Sequence, residues 1–267
     1  MSSFTKAPAN RPEEIERTLS TLARYNPEAV QDLQEYVFTQ CSSGSYDIMA
    51  NLALLKLYQL NVERMREDII QNVLAKSLTA FPEPDFAICL HLLPPAVLAT
   101  YPSISGSSTF IPEAPPVDSD DQLINSVHRL TYLNTLLEMA AFPTFWSVLD
   151  SSVDEEYAEL VADLVGFEDT IRRGITSAIV LSMRSIKIET ALAWLNYNNN
   201  EKLNEWITSE MPGWVLEGDS IVYKQPEETT ADSSSASALS NSTTGKVRLE
   251  QLTRVIKRVY ENELLHH

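Results

Sequence analysis

A chain of 267 residues with 44% hydrophobic and 21% charged content can bury a sizeable core, as one large or two modest domains. Its 37 acidic residues against 20 basic ones leave a net charge of −17, which opposes non-specific binding to RNA, DNA or anionic membranes. Only seven glycines and two cysteines occur, too few for a turn-rich sheet, a disulfide framework or a zinc site.

The first residues lack the apolar stretch of a signal peptide, so a cytoplasmic protein with reduced thiols at Cys41 and Cys89 is expected. Pro12 suits a first helical turn, followed by Ile15, Leu19 and Leu22 at helical spacing. Asn26-Pro27 reads as N-cap and first turn of a second helix, with Val30, Leu33 and Val37 as its stripe. Tyr46–Asn61 (YDIMANLALLKLYQLN) is apolar almost all round, leaving Asp47, Asn51, Lys56 and Gln59 to face water. Such a helix sits between other helices, and it is too short and too polar to span a bilayer.

Asp68 to Phe81 continues the array until Pro82 and Pro84, and Asp85 is placed to cap a helix running to Leu93. Pro94-Pro95 and the polar stretch after Ser103 break the uncharged segment Phe86–Pro112, which removes a membrane reading. A Ser/Pro-rich insertion spans about residues 101–121. Helices resume over Leu123–Ala140, Pro143–Leu149, Glu155–Leu164 and Phe167–Met183. No strict repeat is legible, so residues 1–184 read as an irregular helical solenoid.

From Ser185 the pattern changes. Ile186–Leu195 and Glu201–Ser209 read as helices, and Trp214–Glu217 and Ser220–Tyr223 as two strands joined by Gly218-Asp219. Two helices followed by a two-stranded ribbon are the plan of a winged helix over 185–224. Residues 225–245 are low-complexity and expected to be disordered. A last helix over 246–267 carries Leu249, Leu252, Val255, Ile256 and Val259 on one face.

With these words in this order, the chain resembles the family of subunit k of eukaryotic translation initiation factor 3. The carrying segments are RYNPEAVQDLQEYV (Arg24–Val37), YDIMANLALLKLYQLN, DFAICLHLL (Asp85–Leu93), FPTFW (Phe142–Trp146), GFEDTIRRGI (Gly166–Ile175) and GDSIVYKQPEE (Gly218–Glu228). The resemblance implies a mainly α fold, with an N-terminal helical-repeat (HEAT-like) domain and a C-terminal winged helix. It also implies a non-catalytic role in the initiation-factor assembly on the small ribosomal subunit, with subunit l as neighbour. The insertion near 101–121 and the Ser/Thr tract Thr229–Thr244 are longer than the family pattern needs.

Catalytic constellations are not found. No GxG or Walker-type sequence offers a phosphate loop. Cys89 and His91, two apart, point to different helix faces, and His128 reads as a structural histidine. The acidic run Asp150, Asp154, Glu155, Glu156, Glu159 lacks the EF-hand pattern and suits a solvated helix start. No cofactor, metal or small-molecule substrate is expected.

A nucleic-acid-binding regulator is the rival reading, because winged helices often place their second helix in the major groove. Here that helix carries Glu201, Glu205 and Glu210 against Lys202, and from Ser185 onward 12 acidic residues face 8 basic ones, which disfavours DNA. The candidate protein anchors are Trp206, Trp214 and Tyr223 around the wing, plus Leu252, Ile256 and Val259 of the last helix. That apolar stripe either packs on its own winged domain or enters a neighbour's helical bundle. Arg254, Lys257 and Arg258 form the most basic patch and are the candidate ribosomal RNA contact.

Overall fold

Helices supply nearly all of the secondary structure in the computed structural model, which describes residues 7–94, 97, 121–151 and 155–224. In chain order the helices are α1 (Glu13–Ser20), α2 (Ala29–Ser43), α3 (Ile48–Leu60), α4 (Glu67–Leu78), α5 (Asp85–His91), α6 (Gln122–Glu138), α7 (Phe142–Leu149), α8 (Glu156–Ala162) and α9 (Phe167–Ser182). Strand β1 (Ser185–Lys187), helices α10 (Ile188–Leu195) and α11 (Asn200–Glu210), and strands β2 (Trp214–Glu217) and β3 (Ser220–Tyr223) follow. All of them belong to one compact unit that runs through Gln225. The insertion at 101–121, the tract 225–245 and the helix expected over 246–267 lie outside the described residues, apart from Asp121.

The centre of the helical array is α4, which touches α2, α3, α5, α6 and α8. Every residue from Asn72 to Leu78 is buried. Three of these are polar: Ser77 Oγ donates to the Leu74 carbonyl at 2.6 Å, burial lowers the pKa of Lys76, and Asn72 lines a cleft against α6 and α8. Helix α3 is buried on most sides as its composition demands, with Leu54, Leu55, Leu57 and Tyr58 at 1% exposure or less. Each such leucine contributes about 1.5–3 kcal/mol of burial.

Asp47 and Asn51 correct the expected water-facing edge of α3, because both point inward, at 2% and 1% exposure. Partners on α2 and the N-terminal segment make this tolerable. The Gln40 and Asn51 amides pair reciprocally, Nε2 to Oδ1 at 2.9 Å and Nδ2 to Oε1 at 3.2 Å. Gln40 Oε1 also accepts the Asp47 backbone N–H at 2.8 Å. A buried amide pair satisfied in this way costs little and specifies how α2 meets α3.

Two helix starts also differ from expectation. Asn26 Oδ1 accepts from Glu28 N at 3.1 Å, making a turn before α2 rather than its cap. Asp85 is the first residue of α5 and fully buried, with Pro84 in the cap position.

The sheet has three strands, not a two-stranded ribbon. Its order is β1-β3-β2, all antiparallel, with Ile186 and Leu216 both opposite Ile221. Ser185-Ile186-Lys187 alternates exposed, buried, exposed, a strand pattern too short to be told from the apolar helix that follows it. Gly218, at φ +61°, opens the tight β2–β3 turn, a left-handed backbone that glycine adopts without a Cβ penalty. Packing across residues 184 and 185 is continuous: Trp146 Nε1 donates to the Trp194 carbonyl at 2.8 Å, and the apolar core extends from Ile15 to Ile221.

Burial of ionisable groups sets an alkaline limit. It pushes the Cys89 thiol from 9.0 up to about 12, and the Tyr36 and Tyr58 hydroxyls from 10.0 to about 12. Each group holds its proton more tightly when folded than unfolded. The stability it contributes is therefore complete below about pH 9 and lost as pH rises toward about 12. Urea midpoints are expected to be level up to about pH 9 and to fall steeply above about pH 10; a midpoint that stays level to about pH 11 contradicts this.

Candidate interaction surface

The three aromatic residues singled out around the wing face largely inward. Trp206 on α11 is half-buried, donates from Nε1 to Thr176 Oγ1 at 2.9 Å and lies under the Arg173 guanidinium at 5.9 Å. Trp214 is buried at 5% exposure, and its indole N–H finds no hydrogen-bond partner among the described residues. Tyr223 is half-buried, with its ring 5.9 Å from Trp214 and the Arg184 guanidinium 5.3 Å above it. Trp206 thus ties α11 to α9, while Trp214 and Tyr223 pack against each other within the sheet. Leu252, Ile256 and Val259, and the basic Arg254, Lys257 and Arg258, lie outside the described residues.

What the sheet exposes is a different set. With β3 in the middle, β1 and β2 are both edges, and an edge presents unpaired backbone groups to any strand that comes by. β1 is three residues long with Lys187 exposed, a guarded edge. β2 has no second strand partner among the described residues and carries Val215 at 37% and Leu216 at 43% exposure. Sequence reasoning did not find them, because which strand is an edge depends on β1. The signal available was the Val-Leu pair beside Trp214 in a strand with only one visible partner.

Two arginines of α9 are held by internal partners. Arg172 is clamped by Glu168 and Asp169 at 2.9 Å each, donates to the Leu195 carbonyl at 2.9 Å and stacks on Trp146 and Tyr197. Arg173 pairs with Glu210 at 3.2 Å. Helix α11 presents Glu201 and Glu205 outward beside Lys202. A phosphate backbone approaching this face would meet uncompensated carboxylates. Elsewhere, Cys89 is buried and His91 exposed, so the two do face apart, and His128 is buried. No group of three potential metal ligands occurs among the described residues, and none of their helices is long and apolar enough to cross a membrane.

Residues 64–233 match the model of the CSN8/PSMD8/EIF3K family. Eukaryotic translation initiation factor 3 subunit K of Sclerotinia sclerotiorum is 43% identical over 258 residues, covering 97% of each chain. The chain belongs to this family. The protein of the same name from Botryotinia fuckeliana is 42% identical over 97% of each chain, and that of Yarrowia lipolytica 37% over 98% of this chain and all of its own. The resemblance read from the six segments is thereby shown along nearly the whole length. The mainly helical architecture with its small sheet is consistent with membership of the CSN8/PSMD8/EIF3K family.

Proposed function

We propose that the chain is a non-catalytic scaffold subunit of eukaryotic translation initiation factor 3, working in the cytoplasm in translation initiation on the small ribosomal subunit. The single observation that carries this is identity of 43% over 97% of a relative bearing that subunit name. In this reading residues 1–184 are a HEAT-like helical domain. Residues 185–224 are a winged helix, supported by the order β1–α10–α11–β2–β3. Subunit l is the expected neighbour, reached through the wing and the helix over 246–267. The surface chemistry agrees with a protein partner: a strand edge unpaired among the described residues and bearing Val215 and Leu216, beside a helix too acidic for nucleic acid.

Affinity purification of the tagged full chain from its own cells, at moderate salt, tests the proposal. Stoichiometric recovery of initiation factor 3 subunits, subunit l among them, is expected. Recovery of the chain alone, or its retention on an RNA column with a steep loss on adding salt, overturns it. Val215→Lys, on the face of the sheet shared with Val222 and the exposed Ser185, is expected to shift the melting temperature by no more than about 2 °C. It should also reduce partner recovery severalfold, and recovery equal to wild type removes the β2 edge from the proposal.

A further inference from the structure

Between α4, α6 and α8 lies a cleft of about 740 Å³, lined by polar or charged side chains at every position except Leu160. Sites for small organic ligands are lined mainly by hydrophobic and aromatic groups, so this cleft suits a charged, hydrated guest. Four of its carboxylates, Asp68, Glu156, Glu159 and Asp163, share it with one guanidinium, that of Arg129. Two are already paired: Asp68 with Arg66 at 2.5 Å, and Glu156 with Arg129 at 2.6 Å.

Glu159 and Asp163 have no ion pair among the described residues. They stand four apart, a spacing at which like charges repel. Asp163 is also the C-cap of α8, the end of a helix where a carboxylate is disfavoured by the dipole.

A separate feature points into the same space. Asn72 on α4 is more than nine-tenths buried and lines the cleft, yet its side-chain amide makes no hydrogen bond to a described residue. A primary amide offers two donors and an acceptor, the complement of a peptide group. The amide opens onto the cleft, where a bound backbone can pair with it. The guest is not a bare metal ion, because the carboxylates do not gather into a ligand set. Cations spaced along a chain fit them better.

We propose that this cleft receives a basic, extended segment of a partner protein. Glu159 and Asp163 hold its Lys or Arg side chains, and the Asn72 amide bonds its backbone. The site is on the helical array, remote in sequence from the β2 edge, and its test uses the isolated chain, so it stands or falls independently of assembly into the initiation factor.

The probe is a fluorescein-labelled peptide of alternating alanine and Arg or Lys, titrated with the full chain at low salt and followed by anisotropy. Glu159→Gln with Asp163→Asn, both exposed and therefore safe for folding, is expected to weaken binding about tenfold. Asn72→Ala is expected to weaken it about fivefold. Glu13→Gln with Glu14→Gln, an equal charge change on α1, should leave affinity within about twofold. The proposal is overturned if the peptide fails to bind, if the Glu159/Asp163 double variant binds as wild type, or if the α1 pair weakens binding as much. It is also overturned if spermidine displaces the peptide while Asn72→Ala leaves affinity unchanged, which marks simple attraction of polycations.

Discussion

Replacing Asp47 with alanine is expected to cost about 3–4 kcal/mol of stability, the largest loss from any single side chain outside the apolar core. Asp47 sits at 2% exposure in the cap position of α3, where its carboxylate serves three groups at once. Arg11 donates to it twice, Nε to Oδ2 at 2.6 Å and Nη2 to Oδ1 at 2.8 Å. The Tyr36 hydroxyl donates at 3.3 Å, and the Ala50 backbone N–H at 3.3 Å. The Asp47 hydrogen bond, more than anything else, raises the Arg11 pKa above its ordinary value.

Truncation leaves a guanidinium that is only 10% exposed without its main counter-ion and takes the cap from α3. Loss of one partner of a buried pair alone costs about 3–5 kcal/mol. Glu16, which holds Arg11 Nη1 at 2.6 Å, recovers part of that. A fall in melting temperature of about 6–12 °C follows for a chain of this size. Asp47→Asn keeps a cap acceptor and should lose about half as much. Adding Arg11→Ala to Asp47→Ala should recover part of the loss by removing the stranded charge, leaving the cost of the missing cap. A single Asp47→Ala variant within about 1 kcal/mol of wild type would show that the pair does not hold the N-terminal segment to α3.

The legibility of this fold in its sequence follows how local each cause is. Helix α3 was evident because its burial is written in its own thirteen residues. The hairpin was evident because Gly218-Asp219 stands as a two-residue turn between two strand-like runs. Helix α4, the actual hub, was expected only as one more element of the array, because Gln71, Asn72, Lys76 and Ser77 interrupt its apolar residues. The structure buries the last three against α2, α6 and α8, which the sequence of α4 alone does not announce. β1 was missed for a similar reason, since Ile186 meets its partner Ile221 only after two helices have intervened.

The candidate site was legible only by residue type. Trp206, Trp214 and Tyr223 were chosen as aromatics beside a turn, yet the Trp206 hydrogen bond and the ring contacts of all three are spent within the fold. Exposure of Val215 and Leu216 depends on strand order, and the unpaired state of Glu159 and Asp163 on which cations reach them. Neither is a property of a stretch of sequence. Membership of the family, by contrast, was readable from words such as GFEDTIRRGI, and the second glycine of that word has a physical reason.

Gly174→Ala is expected to destabilise the protein by about 1–2 kcal/mol, although the same change in an exposed helix stabilises by about 0.5–1 kcal/mol. Gly174 is buried in the middle of α9. A Cβ built there would lie 2.5 Å from the Phe81 carbonyl oxygen and 3.1 Å from Phe81 Cδ1. The first of these is backbone, so relief requires moving α9 or the segment after α4 rather than turning a side chain. Such overpacking costs about 1–3 kcal/mol, which exceeds the gain in helix propensity. The displacement also has a route to the sheet. Phe81 packs edge-on against Phe142 at 6.0 Å, and Phe142 against Trp194 of α10 at 5.3 Å. A urea titration of Gly174→Ala should therefore show a lower midpoint with an unchanged slope, and weaker protection of the amides of α10 in hydrogen exchange. A variant more stable than wild type would mean that α9 and the Phe81 carbonyl are not in contact, and the glycine would then have no structural cause.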